Sequence, residues 1–268
     1  MTELKQMFED NRRAWDQRVQ VHAQSRLYDV EGFKRGNSSL NPYELGLVGD
    51  VEGRRLLHLQ CHFGLDTLSW QRLGAQATGV DFSSEAIALA RELNDALGLG
   101  ATFVESDVLA LREQVRETFD VVFTSYGVIG WLPDLKPWGK VIAESLVPGG
   151  RFVMAEFHPW VWMSQTGPDL RIRYPYFNRG PISEEWEGTY ADRSAPIRSR
   201  EHGWNHSLAD VVNALIGAGL RLERLDELDA TPYDIFEGLE RGEDGGYRFK
   251  EAPGLVPLTF GIVASKPG

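Results

Sequence analysis

Between residues 55 and 158 the sequence switches repeatedly between two periodicities, and few folds accept that alternation. Short apolar, β-branched-rich runs bounded by turn residues at 55–60, 76–81, 101–107, 119–126 and 151–158 read as five strands. Helical segments lie between them at 65–73, 84–97 and 135–146. Ser83 or Ser84 and Asp134 are placed to accept hydrogen bonds from free N–H groups in a first turn, and Gly74 and Gly98 stand where a left-handed cap closes a helix. Strand–helix–strand alternation requires crossover connections, so the strands run parallel with helices on both faces. Such a doubly wound α/β sheet binds ligands beyond the carboxyl ends of its strands.

The turn after the first strand carries the first chemical signal. In Leu59-Gln60-Cys61-His62-Phe63-Gly64 the last residue opens a helix whose free N–H groups face the crevice, a place for a polar or anionic ligand. Asp81 ends the second strand, where a carboxylate can accept hydrogen bonds from both hydroxyls of a ribose. Taken singly, Gly64 is also an ordinary turn glycine and Asp81 an ordinary cap; together they point to a nucleoside-containing cofactor. After the third strand, Asp107 can meet an adenine amino group while Val108 packs on the ring.

Four stretches, residues 57–64, Gly79-Val80-Asp81-Phe82-Ser83, residues 119–123 and Leu146-Val147-Pro148-Gly149-Gly150, resemble the core of class I S-adenosylmethionine-dependent methyltransferases, in an actinobacterial-type branch acting on small molecules. The resemblance implies a Rossmann-like seven-stranded mixed sheet with the last strand antiparallel, S-adenosylmethionine as cofactor, and cofactor contacts from Gln60, Cys61, His62, Gly64, Asp81, Phe82, Ser83, Asp107, Val108, Ser125 and Tyr126. The first motif departs from the common form, which has an acidic residue and three glycines. Here His58 stands for the acid, Gln60 and His62 for two glycines, and Gly64 alone remains. The two bulky side chains must then point away from the cofactor or hydrogen-bond it. A nicotinamide dinucleotide is the competing cofactor, as in an NAD(P)-dependent oxidoreductase, but G-x-G-x-x-G is absent and the chain ends in the methyltransferase manner, with a helix at 208–218 and strands at 220–228 and 258–265. A cofactor-binding protein without transferase chemistry is the other alternative.

From the fifth strand about 45 residues pass before the next helix, a length that marks a lid or disorder. Trp160, Trp162, Tyr174, Tyr176, Phe177, Trp186, Tyr190 and Trp204 make it too aromatic for disorder, so an aromatic lid over the strand ends is expected, with a small organic acceptor beneath it. His158, at the end of the fifth strand, and His206, before the capping pair Ser207 and Asp210, are candidate bases, with Tyr126 a candidate acceptor contact. Any of these histidines is also a plain structural hydrogen-bonder. His202 and His206 are four apart, but Gly203 and the cap at Ser207 speak against a helical metal pair, and no metal is expected. At the other end, Phe8, Trp15, Val19 and Tyr28 predict an N-terminal helical arm packed on the body; Tyr28 and Phe33, with Arg35 as a weaker candidate, are placed by the resemblance over the cofactor.

The expected organisation is one methyltransferase domain over 1–268: arm 1–50, cofactor-binding core 51–158, lid 159–206, and C-terminal helix and strand pair 207–268. A net charge of -11 without a Lys/Arg cluster disfavours nucleic acid. No apolar run approaches the roughly 20 residues that cross a bilayer, the start is polar, and a single cysteine fits a reducing compartment. A cytoplasmic protein, monomer or homodimer, is expected.

Overall fold

The computed structural model describes residues 2–163 and 171–268. Its helices are α1 (Glu3–Gln24), α2 (Val30–Lys34), α3 (Pro42–Val48), α4 (Leu65–Arg72), α5 (Ser84–Leu97), α6 (Leu111–Gln114), α7 (Leu135–Ser145) and α8 (Leu208–Gly217). Its strands are β1 (Arg55–Leu59), β2 (Gln76–Asp81), β3 (Thr102–Glu105), β4 (Phe119–Ser125), β5 (Leu146–Phe157), β6 (Ile182–Glu187), β7 (Arg198–Gly203), β8 (Arg221–Leu228), β9 (Leu239–Arg241), β10 (Tyr247–Phe249) and β11 (Thr259–Ser265).

Seven of these strands form one mixed sheet in the order β3-β2-β1-β4-β5-β11-β8. Neighbours from β3 to β5 are parallel, as the strand–helix alternation predicts, whereas β11 inserts antiparallel to both β5 and β8, as the resemblance implies. The chain runs outward from β1 to β3 and then returns to lay β4 on the other side of β1. That reversal opens a crevice between the carboxyl ends of β1 and β4. Alternation puts Leu56, Val121, Val153 and Ala155 into the core on one face, and Leu57, Val122, Phe152 and Met154 into the core on the other. The caps behave as expected: Ser83 accepts from the Ala86 N–H at 3.1 Å, and Gly98 turns left-handed at φ 61°.

Strand β5 begins earlier than the sequence reading, which started it at 151, because Leu146 already pairs with Phe119 and the Pro148-Gly149-Gly150 reversal is absorbed by a register shift. The lid is also built differently from expectation. Residues 164–170 lie outside the described residues, and the rest is organised by the antiparallel hairpin β6–β7, which packs on α1. Arg18 and Glu201 form a buried ion pair there, and Asn11 exchanges two 2.8 Å hydrogen bonds with the backbone of His202. Trp204 packs on Phe8, while Trp186 and Phe177 remain exposed. The cover over the end of β5 comes instead from the segment before β11, whose Phe236, Phe249 and Leu258 form a small core with Phe157 and Val161. Polar segments read as loops; only packing shows what they cover.

The turn from β1 into α4 is the most constrained piece of backbone. Gln60 (φ 56°), His62 (φ 51°) and Gly64 (φ 78°) are all left-handed, so two side-chain-bearing residues adopt the conformation that the resembled motif gives to glycine. Each such residue costs about 1–3 kcal/mol and persists only where its surroundings hold it. Here they do: Gln60 Nε2 donates to the Val128 carbonyl at 2.9 Å, and the His62 N–H donates to Asp81 Oδ2 at 2.8 Å. At Gly64 a Cβ would stand 2.5 Å from the Phe103 ring. In urea denaturation, Gly64→Ala is therefore expected to cost about 2–4 kcal/mol. Gln60→Gly, which exchanges one hydrogen bond for relief of strain, should change stability by less than about 1 kcal/mol. Equal losses for both would contradict this account of the turn.

Candidate active site

The crevice between β1 and β4 is lined by Gln60, Asp81, Phe82, Asp107, Val108 and Trp131, and is roofed by Phe8 and Asn11 of α1. Asp81 is buried, with Oδ2 accepting from His62 N–H and Oδ1 accepting from Ser83 N–H at 2.9 Å. These bonds leave lone pairs available to hydroxyl donors. Burial pushes the Asp81 carboxyl up to about 6 against those two N–H groups. The Asp107 carboxylate caps the turn at Val108–Ala110 through Leu109 N–H and stays exposed, while Val108 is buried beside it. Gln60 Oε1 is buried without a hydrogen-bond partner, an acceptor left open on the crevice wall. A buried carboxylate with open lone pairs, an apolar surface at Val108 and an orphaned acceptor fit an adenosyl cofactor.

The other residues singled out in the sequence are placed as follows. Cys61 is buried, its thiol pushed well up by burial, and its Sγ would meet any Cβ on Gly79 at 2.9 Å, so it packs rather than reacts. Ser83 caps α5 and donates to Asp16 at 2.6 Å. The Ser125 hydroxyl donates to Asp66 Oδ2. Tyr28 stacks on His22, packs against His62 and Phe63, and bonds the Tyr190 hydroxyl at 2.5 Å, tying arm to lid above the left-handed turn. Phe33 is elsewhere: it is buried in the core with the Arg72 guanidinium 4.0 Å over its ring, not on the crevice. Arg35 is exposed.

Neither candidate histidine base is brought to the crevice wall with these residues. His158 Nδ1 accepts from Trp160 N–H, and Nε2 donates to Glu227 at 2.9 Å, so both ring nitrogens are engaged. It looks toward Phe260 at the β11 side. His206 Nε2 donates to the Leu132 carbonyl at 2.7 Å and holds the turn after β4; burial keeps its pKa low.

Several residues of the site escaped the sequence reading. Glu156 is fully buried and its carboxylate accepts the N–H groups of Gly127, Val128, Ile129 and Phe157, which fixes the loop after β4, where Tyr126 itself is left-handed at φ 37°. Glu44 of α3 is also fully buried. Tyr126 donates to Glu44 Oε2 at 3.3 Å, and Asn41 donates from N–H and side chain to Oε1. Tyr126 is edge-on to Tyr233 at 5.1 Å and packs on Phe157 at 5.2 Å, beside Phe236 and Trp162. The Asn-Pro-Tyr-Glu run around Glu44 reads as a capping box, which it is, and nothing local announces its burial.

Glu44 is held up to about 7, first by burial and then by the charge of Asp66. Between its ordinary value and 7 the folded protein holds a proton that the unfolded chain has lost, so Glu44 costs stability as pH rises through that window. The buried His22 and His58, pushed down to about 3, act in the opposite sense, so the difference between variants is the clean observable. Relative to the wild type, Glu44→Gln should gain stability from about pH 5 to about pH 8 in paired urea titrations. A difference that does not vary with pH would refute the assignment.

Residues 57–152 match the family model described as a methyltransferase domain. The chain is 28% identical over 130 residues to the ubiquinone biosynthesis O-methyltransferase of Photorhabdus laumondii, covering 47% of this chain and 54% of that protein. The enzyme of the same name from Vibrio cholerae is 32% identical over 130 residues, covering 47% and 53%. The match thus spans about half the length of these relatives. Among solved structures, an S-adenosylmethionine-dependent methyltransferase from Mesorhizobium loti superposes with a TM-score of 0.56 at 19% identity, covering 87% of this chain and 100% of that one, a likeness of fold. The matched core is thus that of a methyltransferase domain, and the sheet order with its last strand inserted antiparallel is a fold that this chain shares with S-adenosylmethionine-dependent methyltransferases.

Proposed function

We propose that this protein transfers a methyl group from S-adenosylmethionine to a small organic acceptor. The observation that carries the reading is the crevice at the β1/β4 reversal, where Asp81 is buried with open lone pairs beside Val108 and the unpartnered Gln60 Oε1. Asp81 is assigned to the ribose hydroxyls, Asp107 and Val108 to the adenine, and Gln60 to a polar atom of the cofactor. When bound, the cofactor supplies a methyl group on a positively charged sulfur.

The protein's own contribution is placement and exclusion of water. Glu156 holds the loop bearing Tyr126, and α1, braced by the β6–β7 hairpin, roofs the crevice. The acceptor is assigned to the far side of Tyr126, against Phe157, Tyr233, Phe236 and Trp162. Aromatic surroundings of this kind suit a planar or partly apolar molecule. The acidic net charge supports the same choice over a nucleic acid.

Calorimetric titration with S-adenosylhomocysteine tests the reading. Asp81→Asn keeps an acceptor for one neighbouring N–H but removes the charge from the ribose contact, and is expected to weaken binding about 10- to 100-fold with the fold intact by circular dichroism. Failure of the wild type to bind the adenosyl compound, or tight binding of a reduced nicotinamide in its place, would sink the proposal.

A further inference from the structure

Resting on the methyltransferase reading, the groups around Tyr126 narrow the acceptor's chemistry. Two carboxylates, Glu44 fully buried and Asp66 half-buried, lie here without an ion-pair partner among the described residues. Glu44 has only hydrogen bonds, from Asn41 and Tyr126, and Asp66 has only those from Ser39 at 2.6 Å and Ser125 at 3.2 Å. Each feels the other or the tyrosines: Asp66 raises Glu44, and both raise Tyr233. Guanidinium groups that act on the neighbouring tyrosines are engaged elsewhere, Arg18 by Glu201 and Arg224 by Asp226, and Arg72 of α4 donates to the Asn37 and Phe33 carbonyls. Around them stand electron-rich ring faces, with Tyr126 and Tyr233 5.1 Å apart and edge-on. Buried negative charge of this kind is costly unless a cation joins it, and aromatic faces favour the same partner. An anionic acceptor would meet repulsion from both carboxylates.

We propose that the methyl acceptor is an amine that arrives as its ammonium form and is received by the Glu44–Tyr126 pair, with Glu44 as proton acceptor. One N–H bond of the ammonium breaks and an O–H bond forms on Glu44, which leaves the nitrogen lone pair free. The new N–C bond then forms to the methyl carbon as the carbon–sulfur bond breaks with its electrons kept by sulfur. The products are the methylated ammonium and the neutral thioether. Burial holds Glu44 in the range where it can take and release such a proton near neutrality.

The test uses the full chain saturated with S-adenosylhomocysteine and a matched probe set, phenethylamine, phenethyl alcohol and phenylacetate, read by calorimetry. The amine is expected to bind at least about tenfold more tightly than the alcohol or the acid, and Glu44→Gln to abolish that preference while S-adenosylhomocysteine affinity stays within about twofold. Glutamine is accepted at this capping-box position, so the variant should fold, and Tyr126→Phe provides a second variant with a smaller loss of the preference. No amine binding, tighter binding of the alcohol or acid, or a preference that survives Glu44→Gln would overturn the proposal and leave the methyltransferase reading standing. Loss of S-adenosylhomocysteine binding by the wild type would instead overturn that reading.

Discussion

The arrangement of the site depends on one stretch of backbone, the left-handed turn that carries the chain from β1 into α4. Because Gln60 and His62 occupy conformations that disfavour a side chain, the turn must be held from several directions, and the groups that hold it also define the crevice. Asp81 accepts the His62 N–H, Val128 accepts from Gln60, and the His62 ring is boxed by Trp15, Tyr28 and the Nδ1 of His22, 3.0 Å from its Nε2. Strain in the turn and order in the arm are therefore linked. A glycine-rich motif would leave the arm less to grip; this chain replaces conformational freedom with side-chain contacts.

Buried carboxylates form the second organising theme. Asp81, Glu156, Asp66 and Glu44 all lie around the carboxyl ends of the central strands, and burial raises each of them. Their partners differ, and so do their roles. Glu156 is saturated by four backbone N–H groups and acts as a staple for the loop after β4. Asp81 has two such bonds and faces the crevice, while Glu44 and Asp66 are met by neutral side chains, with no ion-pair partner among the described residues. Degree of satisfaction, rather than residue type, separates scaffold from site.

Closure comes from chain segments far apart in sequence. The ion pair of Arg18 with Glu201 and the Asn11–His202 exchange make α1 and the β6–β7 hairpin one cover, whereas Tyr233 and Phe236 reach Tyr126 and Phe157 from the segment between β8 and β11. The aromatic residues of the lid are thus divided: Trp162 joins the cluster around Phe157, Tyr190 meets Tyr28, and Trp204 braces Phe8.

While the antiparallel last strand came from the family resemblance, from the sequence alone came the parallel core, the helix caps at Ser83, Asp134 and Ser207, and the placing of Gly64 and Asp81 at the ends of β1 and β2. These follow from local periodicity, capping chemistry and chirality, which act over a few residues and leave their mark in spacing. Tertiary structure alone decided which polar residues become buried and what they meet. Glu44 is written as a helix cap and His158 as a strand-end histidine; only packing sinks the first beneath Tyr126 and commits both nitrogens of the second to Trp160 and Glu227. The reason is that desolvation and hydrogen-bond saturation depend on all neighbours in space, and those neighbours lie up to 192 residues apart in the chain, as Asn41 and Tyr233 do.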